Sequence, residues 1–598
     1  MKLSYIKIFT FAALAGFGMS SCEDFLDRPT EDNYVADGYY KTDEQCLLGT
    51  AYLYSSPWSD FTRHFINVGE VLSGNHYPGS ENAFLDFTVN SSTPEIQEMS
   101  NSLWSVISHC NTVYGYIQRA SGPSQTAKNQ TMGECLTWKA MSYFFLVRSF
   151  GEVPIVHDNN ELIGSNSYSD LPKATRQSTY EYIIMTLEKA IELLPDEPMQ
   201  AGRIDKAAAQ GLLAKVYLAK AGVSGKIDTE DLNKAVKYAE DCLSSSNHGL
   251  LEKYEDNFLI KNNVNKEGLI AWRWNAQNNQ WTDQSFMQSD YQMEGFSENG
   301  DCWGSWRGMS IDLQEEFGIK ILEQQPDAWI NCIDTRLHAT MMLPGFKYDQ
   351  FWQDKGGFDF LRFVYDKEYN PSAKEEGFTI PTGAAVVKHL SGNQKDHAAG
   401  VGYASGRMAY ALATQLLRVA DVKLVLAEAK LILANPNDPQ SASTTDKEAV
   451  DAFNDVHTRA GLTAVDHITW EDVWKERRLE LAFEGDRWYD FVRVSYYNPD
   501  YTIDKLTKQK RNQLWSFDVV AKTYYETGTW SVDTTVTMYA KDHLPLSKAQ
   551  IELLMKEDPK TNKKFFLLPL PNGDVVFNEK LATSAPAEDV DVRSLYAY

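Results

Sequence analysis

Residues 475–493 read KERRLELAFEGDRWYDFVR, a stretch that combines dense charge with an apolar face. Trp470, Trp474 and Leu481 fall at near-heptad spacing, which predicts a helix that buries one side. Gly485 is a natural end for this helix, because glycine readily adopts the backbone conformations found at helix C-termini. The stretch therefore predicts a helix, a turn and a second charged segment.

The charges of this stretch have two interpretations. Glu484 and Asp490 would form a catalytic carboxylate pair in an enzyme. Alternatively, the charges form a salt-bridged helix–turn that locks repeat units together, with Arg477 and Glu480 paired at i, i+3. We favour the structural interpretation, because a chain with 82 acidic residues contains many carboxylate pairs by chance.

Other helical patterns surround this stretch. Leu187, Ala190 and Pro195 have the spacing of the second helix of a tetratricopeptide repeat, and Leu213, Ala214 and Tyr217 fit a first helix. No strict 34-residue period survives, so the prediction is a set of degenerate repeats, with an irregular helical bundle as the alternative. The clearest helical segments are residues 102–120, 132–150, 178–194, 205–221, 231–243 and 414–434.

The chain divides by composition into a helical part, a loop-rich part and a mixed part. Residues 41–261 are mainly helical in pattern, 262–410 are rich in Gly, Asn, Asp and aromatic residues, and 411–598 return to helical and mixed patterns. No flexible linker separates the parts, so we expect one integrated unit.

The N-terminus has the pattern of an export signal. Two lysines precede an apolar run of about ten residues, which is too short to cross a bilayer. Met19-Ser20-Ser21-Cys22 is similar to a bacterial lipobox. We expect 1–21 to be a lipoprotein signal peptide and 22–40 a tether lipidated at Cys22; the alternative is an ordinary signal peptide with an incidental cysteine.

Charge and cysteine content narrow the possible partners. The formal charge of −25 repels phosphate backbones, so we expect no nucleic-acid partner. With Cys22 lipidated, six cysteines remain, an even number that would permit disulfides. Because Cys46, Cys110, Cys135 and Cys242 lie in helical segments among apolar neighbours, we favour buried free thiols.

Several segments together resemble the SusD/RagB family of lipoproteins. The matching segments are CEDFLDRPTEDNY (22–34), GECLTWKAMSYFFLVRSFGEVPI (133–155), RVADVKLVLAEA (418–429), VHTRAGL (456–462), KERRLELAFEGDRWYDFVR (475–493) and LLPLPNGDVVFNEKL (567–581). The last of these segments is not followed by the family's usual final glutamine-asparagine-proline-glycine.

The resemblance implies both a fold and a function. The fold would be mostly α, a tetratricopeptide-like helical-repeat scaffold with a large, irregular loop-rich insertion. Family members are surface-exposed lipoproteins that sit on a SusC-like TonB-dependent outer-membrane transporter and capture oligo- or polysaccharides, or in some cases peptides. They are not enzymes, and the resemblance implies no catalytic residue, metal or cofactor.

A cluster of aromatic residues marks the expected glycan site. Five tryptophans fall within residues 272–306, and flat aromatic rings stack on the C–H faces of sugars while neighbouring polar groups bind hydroxyls. Trp272 and Trp274 alternate as in a strand and fit a core equally well. The candidates are Trp281, Tyr291, Trp303 and Trp306, with Trp58, His76 and Tyr77 from the loops after the first helix.

Two alternatives remain open at this point. Peptide capture is compatible with the same family, and a secreted glycan-degrading enzyme would use the same aromatic platform. The sequence has no GxSxG, HExxH or P-loop motif, which favours binding over catalysis.

Overall fold

A computed structural model describes most of the chain after the first 35 residues. The described residues are 36–79, 82–159, 162, 164, 167–277, 283–373, 377–533, 545–582 and 584–596. The predicted signal peptide, the lipidation site Cys22 and most of the predicted tether lie outside these residues.

Helices dominate the described residues. Those of eight or more residues are α1 Asp43–Ala51, α2 Ser59–Ile66, α3 Pro94–Arg119, α4 Gln125–Phe150, α5 Arg176–Leu193, α6 Lys206–Lys220, α7 Thr229–Leu243, α8 Gln394–Val401, α9 Val419–Ala434, α10 Lys447–Arg459, α11 Trp470–Glu480, α12 Arg487–Ser495, α13 Pro499–Thr507 and α14 Asp518–Thr527. Shorter helices are Ala36–Tyr39, Met287–Tyr291, Ile311–Glu316, Asp327–Ile330, Arg336–Thr340, Phe360–Tyr365, Lys548–Glu552, Asn572–Phe577 and Val592–Leu595.

The strands of the described residues form two-stranded ladders. Six ladders are antiparallel: His76–Tyr77 with Gly308–Met309, Gly268–Trp272 with Thr414–Arg418, Met341–Met342 with Ala385–Val386, Lys347–Tyr348 with Phe358–Asp359, Ser443–Thr444 with Ile468–Thr469, and Met555–Asp558 with Lys563–Phe566. Lys173–Ala174 pairs in parallel with Ala587–Glu588.

The long helices pack in chain order, as in a helical-repeat protein. Each of α3 to α6 packs on the next, α7 packs on α9, and α9 packs on α10. Leu187, Ala190, Leu213 and Ala214, which carried the repeat prediction, are fully buried. The small residues Ala190 and Ala214 let neighbouring helices approach closely, and the mostly helical fold is confirmed.

Local signals fix the helix ends. The Ser124 hydroxyl accepts a hydrogen bond from the backbone N–H of Ala127 and so caps α4 at its N-terminus. At the other end Gly151 has φ of +72°, a conformation that favours glycine. The predicted stop at Gly151 is therefore confirmed, although α4 begins at Gln125, earlier than the predicted start.

The loop-rich part is closed at its base by one ladder. Gly268–Trp272 pairs with Thr414–Arg418, so the chain leaves the helical scaffold and returns to it at the same place. Between these strands lie α8, several shorter helices, the ladders Met341–Met342 with Ala385–Val386 and Lys347–Tyr348 with Phe358–Asp359, and the strand Gly308–Met309. Buried apolar residues of this part and of the scaffold belong to one continuous cluster.

The stretch 475–493 forms the centre of a buried ion network that joins four helices. Arg477 lies on α11, and its guanidinium contacts Asp421 of α9 at 2.8 Å and Asp490 of α12 at 3.1 Å. Lys215 of α6 contacts the same Asp421 at 2.5 Å and Asp486, just before α12, at 2.8 Å. Each charge is therefore paired across helices, and the predicted locking of repeat units is confirmed.

One detail of that prediction is wrong. Arg477 and Glu480 do not form the expected i, i+3 pair among the ion pairs of the described residues. Glu480 instead contacts Arg418 at 3.0 Å and Arg459 at 2.5 Å. The partners come from other elements because both side chains are buried, where several opposite charges are needed to offset desolvation.

The six described cysteines are free thiols, as predicted. Cys332 is half-buried and the other five are buried. None of the helices in the described part of the chain is both long and apolar enough to span a membrane.

Candidate functional site

Two tryptophans of the loop-rich part face solvent. Trp303 is 41% exposed and Trp306 is 52% exposed, whereas the other tryptophans that the structure describes are buried or partly buried. An exposed indole leaves a large apolar surface in water, so adjacent exposed tryptophans are typical of a binding surface. Trp281, the third predicted tryptophan, lies outside the described residues.

The two indoles lie on a β-turn, which we call the Trp turn (residues 303–307). Its turn bond runs from the backbone N–H of Arg307 to the carbonyl of Gly304, 3.0 Å. The backbone N–H groups of Trp303 and Gly304 donate to the carbonyls of Ser289 and Gln292, at 3.0 and 2.7 Å. These bonds fasten the turn to the short helix Met287–Tyr291.

Gly304 is required by the close approach of these two segments. A Cβ at this position would overlap the backbone of Tyr291 and lie 2.7 Å from the carbonyl oxygen of Asp290. On the other side, the Thr379 hydroxyl donates to the carbonyl of Ser305 at 2.9 Å. The backbone under the two indoles is therefore held from both sides.

Asp290 and Arg307 complete the polar surroundings of the Trp turn. The indole N–H of Trp303 donates to a carboxylate oxygen of Asp290 at 2.8 Å, and Arg307 donates to the backbone carbonyl of Asp290 at 2.9 Å. The first bond fixes the orientation of the Trp303 ring. Asp290 and Arg307 were not predicted from the sequence; only their position beside the predicted aromatic residues could have indicated them.

The loop after the first helices does reach the Trp turn. His76 pairs with Met309 and Tyr77 with Gly308, which places this loop beside the turn. Gly79 follows with φ of +103°, and a Cβ there would lie 3.0 Å from the Trp306 carbonyl oxygen. The two predicted loops are therefore neighbours.

Several predicted platform residues are instead part of the support. Trp58 is fully buried, donates to the carbonyl of Leu53 at 2.7 Å, and packs 5.4 Å from the ring of Trp272, another core residue. Tyr77 is also buried. The assignment of these rings to a ligand surface is corrected, because neither offers an open face for stacking.

His76 and Tyr291 are corrected for the same reason. Both are buried, and their rings pack edge to face at 5.6 Å, each also contacting Phe483. Burial, with the nearby Arg307 charge, lowers the pKa of His76 to about 3, so the imidazole is neutral at physiological pH. His76 lies in the strand, and Tyr291 in the short helix, that support the Trp turn.

The carboxylates considered for catalysis are held in ion pairs. Glu484 contacts Lys388 at 2.8 Å and Arg418 at 2.7 Å, and Asp490 contacts Arg493 at 2.9 Å. Both carboxylates are buried. These contacts agree with the interpretation in which the charges of residues 475–493 hold helices together, rather than with a catalytic pair.

Comparison with known proteins identifies relatives along the whole chain. A family model described as "SusD family" matches residues 247–586, and one described as "Starch-binding associating with outer membrane" matches residues 58–218. A SusD-like protein of Bacteroides ovatus is 28% identical over 593 residues, covering 97% of both chains.

Solved structures agree with this relationship. A crystal structure containing a xylogluco-oligosaccharide is 25% identical, covers 91% of this chain and 99% of its own, and superposes with a TM-score of 0.72. A SusD-like carbohydrate-binding protein of Bacteroides fragilis, 18% identical, covers 91% of this chain and 100% of its own and shares the fold with a TM-score of 0.65. The chain belongs to the SusD family.

Proposed function

We propose that this protein is a cell-surface lipoprotein that binds oligo- or polysaccharides at the Trp turn and delivers them to a SusC-like TonB-dependent transporter. The observation that carries the proposal is the exposed, rigidly held pair Trp303 and Trp306. Sugar rings stack on such indoles, and Asp290 and Arg307 supply hydrogen-bonding groups beside them.

The relatives support the ligand class. One related structure contains a xylogluco-oligosaccharide, and another is titled a laminarin-binding SusD-like protein. Both ligands are neutral glucans, whose rings present C–H faces to aromatic side chains. We therefore place neutral glucans first among the glycans to test.

The burial of Glu484 and Asp490 supports binding without catalysis. Glu484 and Asp490 are buried in ion pairs, which leaves them no route to a glycosidic bond. The proposal is a protein that retains glycans without cleaving them.

The sequence and the family membership support the proposed lipid anchor and transporter partner. Cys22 follows a short apolar run and small residues, as lipid attachment requires, and one matching family model is described as associating with the outer membrane. Lipid on Cys22 would hold the acidic chain at the cell surface, next to the transporter that takes up the bound glycan.

Affinity electrophoresis tests the ligand site. Purified protein is run in native gels containing starch, xyloglucan or laminarin, and we expect saturable retardation without new reducing ends. Trp303→Ala and Trp306→Ala should each weaken the affinity about tenfold, which is about 1.4 kcal/mol. Phe577→Ala, which removes an exposed ring on the helix Asn572–Phe577, is the matched control and should leave retardation unchanged.

Two results would contradict the proposal. Retardation that the double substitution of Trp303 and Trp306 leaves undiminished would move the site elsewhere. Release of reducing ends that disappears in Glu484→Gln would indicate a glycan-degrading enzyme.

A further inference from the structure

A long groove runs from the helical scaffold onto the loop-rich part, and none of the Trp-turn residues lines it. It consists of three adjoining hollows of about 540, 680 and 470 Å³. The first and second share Glu252 and Arg459 as lining residues. The second and third share Gly345 and Lys347. Because neighbouring hollows share lining residues, the groove fits a chain-like ligand better than a compact one.

The third hollow contains an aromatic platform. Tyr525 on α14 lines it and is 39% exposed. One face of its ring stacks on Tyr365, with centroids 5.6 Å apart and planes at 28°. The Tyr365 hydroxyl donates to the carboxylate of Asp518 at 2.9 Å, which fixes the supporting ring. Tyr525 is thus backed on one face by a ring that is itself held in place.

Polar groups surround this platform. Lys347 is exposed, and its ammonium lies 3.0 Å from the carboxylate of Asp359 across the ladder that joins them. Gln325 and Asp327 line the same hollow, and the amide of Gln325 is held by a bond to the carbonyl of Trp530. A ring face beside fixed amide and charged groups is the combination that sugars require.

Gly345 keeps the second and third hollows connected. Its φ is +95°, and a Cβ there would lie 2.9 Å from Ile330 and 3.4 Å from the hydroxyl of Tyr524. Any side chain at this position would therefore meet both walls of the groove. Glycine therefore keeps the space between these two side chains free.

A buried arginine marks the junction of the first and second hollows. The Arg459 side chain is only 5% exposed, and its terminal nitrogens contact Glu267 and Glu480. Its Nε has no hydrogen-bond partner among the described residues. A buried donor of this kind is normally satisfied, by water or by a ligand.

We propose that this groove is a second glycan-binding site, separate from the Trp turn, with Tyr525 as its stacking platform. Acidic side chains outnumber basic ones in the lining, which favours a neutral oligosaccharide over an anionic one. The basic residues are Lys253, Lys347, Lys423 and Arg459, and the acidic residues are Glu252, Glu255, Asp327, Asp334, Asp359 and Asp455. The choice of a carbohydrate ligand rests on the proposed function.

The two sites are connected through one short segment. The hydroxyl of Thr379 binds the Trp turn at Ser305, and the neighbouring Phe378 donates its N–H to Asp518 at the start of α14. From Asp518 to Tyr525 the helix rises by roughly 10 Å. A polysaccharide long enough to occupy both sites would gain avidity that a short oligosaccharide would not.

Native gels of the full chain with xyloglucan polysaccharide, laminarin and starch test the inference. For a polysaccharide that the unmodified protein retains, the Tyr525→Ala/Lys347→Ala variant should bind at least fivefold more weakly. Adding Trp303→Ala and Trp306→Ala to that variant should abolish the remaining binding. Tyr525→Phe keeps the ring and should bind like the unmodified protein. Val519→Ala removes an exposed apolar side chain from α14 that does not line the groove, and this variant should also bind like the unmodified protein.

The outcomes separate this inference from the proposed function. Unchanged retention in the Tyr525/Lys347 variant, with loss in the Trp variants, would overturn the groove site and leave the proposed function standing. Failure of the unmodified protein to bind any of the three glycans would overturn both. Unchanged glycan retention together with lost co-purification of an outer-membrane partner would make the groove a protein interface and overturn the glycan assignment.

Discussion

Replacing Arg418 tests whether the buried ion network holds the loop-rich part to the scaffold. Arg418 is fully buried at the end of the strand Thr414–Arg418. Its guanidinium contacts Glu267 at 2.5 Å, Glu480 at 3.0 Å and Glu484 at 2.7 Å. One side chain thus contacts three buried carboxylates at the base of the insertion.

The expected cost follows from what Arg418→Met leaves behind. Methionine keeps an apolar stem of similar length but removes the charge. Glu267 and Glu480 retain other guanidinium partners, whereas Glu484 keeps only Lys388 among its buried cationic partners. Breaking a buried ion pair by removing one partner costs about 3–5 kcal/mol, and the remaining cations place this case at about 3 kcal/mol.

Equilibrium unfolding in urea, followed by tryptophan fluorescence, measures this loss. The slope for a chain of 598 residues is steeper than the roughly 1–3 kcal/mol/M of small proteins, so the midpoint should fall by about 0.5 M. Arg362→Met is the matched control, because Arg362 forms an exposed i, i+4 pair with Asp366, worth about 0.5 kcal/mol or less. Adding Glu484→Gln to Arg418→Met should recover part of the loss, since it removes the stranded charge. Equal midpoints for Arg418→Met and Arg362→Met would refute the reasoning.

Four further predictions follow from individual residues. Burial alone would raise the pKa of Glu480, but the surrounding arginines outweigh it and lower the pKa to about 2. The ionised form therefore stabilises the fold fully above pH about 4.5, the pKa of an unfolded glutamate. Roughly 3 kcal/mol of stability should be lost as the pH falls towards 2, as measured by thermal unfolding scans. Burial raises the pKa of the Cys332 thiol, yet it alone of the described cysteines is half-buried, so it should react first with a disulfide reagent, and the others only after unfolding. Gly304→Ala should displace the Trp turn and weaken glycan binding about tenfold while circular dichroism stays unchanged. Cys22→Ala should release the protein from membranes in cell fractionation without changing its glycan affinity; persistent membrane association would contradict the anchor.

The helices were predictable because their signals are local. Apolar spacing, Gly151 and small residues at positions such as Ala190 and Ala214 act within a few residues, and they predicted the scaffold correctly. The partners of Arg477 were not predictable in the same way. Asp421 is 56 residues away in sequence and reaches Arg477 only after α9 and α11 pack together.

The same limit explains the mixed result for the aromatic residues. Composition pointed to Trp303 and Trp306, which are exposed, but equally to Trp58 and Tyr291, which are buried. Nothing in the neighbouring residues distinguishes these cases. The difference arises from contacts between distant segments, such as the packing of Trp58 on Trp272.

The ladder between Gly268–Trp272 and Thr414–Arg418 has a consequence for how such a protein diversifies. The chain enters and leaves the insertion through paired strands, and the body of the insertion also packs on the scaffold through the common core and through ion pairs such as that of Lys388 with Glu484. Loops within it can lengthen or be replaced at little cost in closure entropy, because the paired ends already fix its attachment. Exchanging exposed loops of the insertion for those of a relative, with Arg418 and the residues packed on the scaffold retained, is therefore the change to test for a new sugar preference.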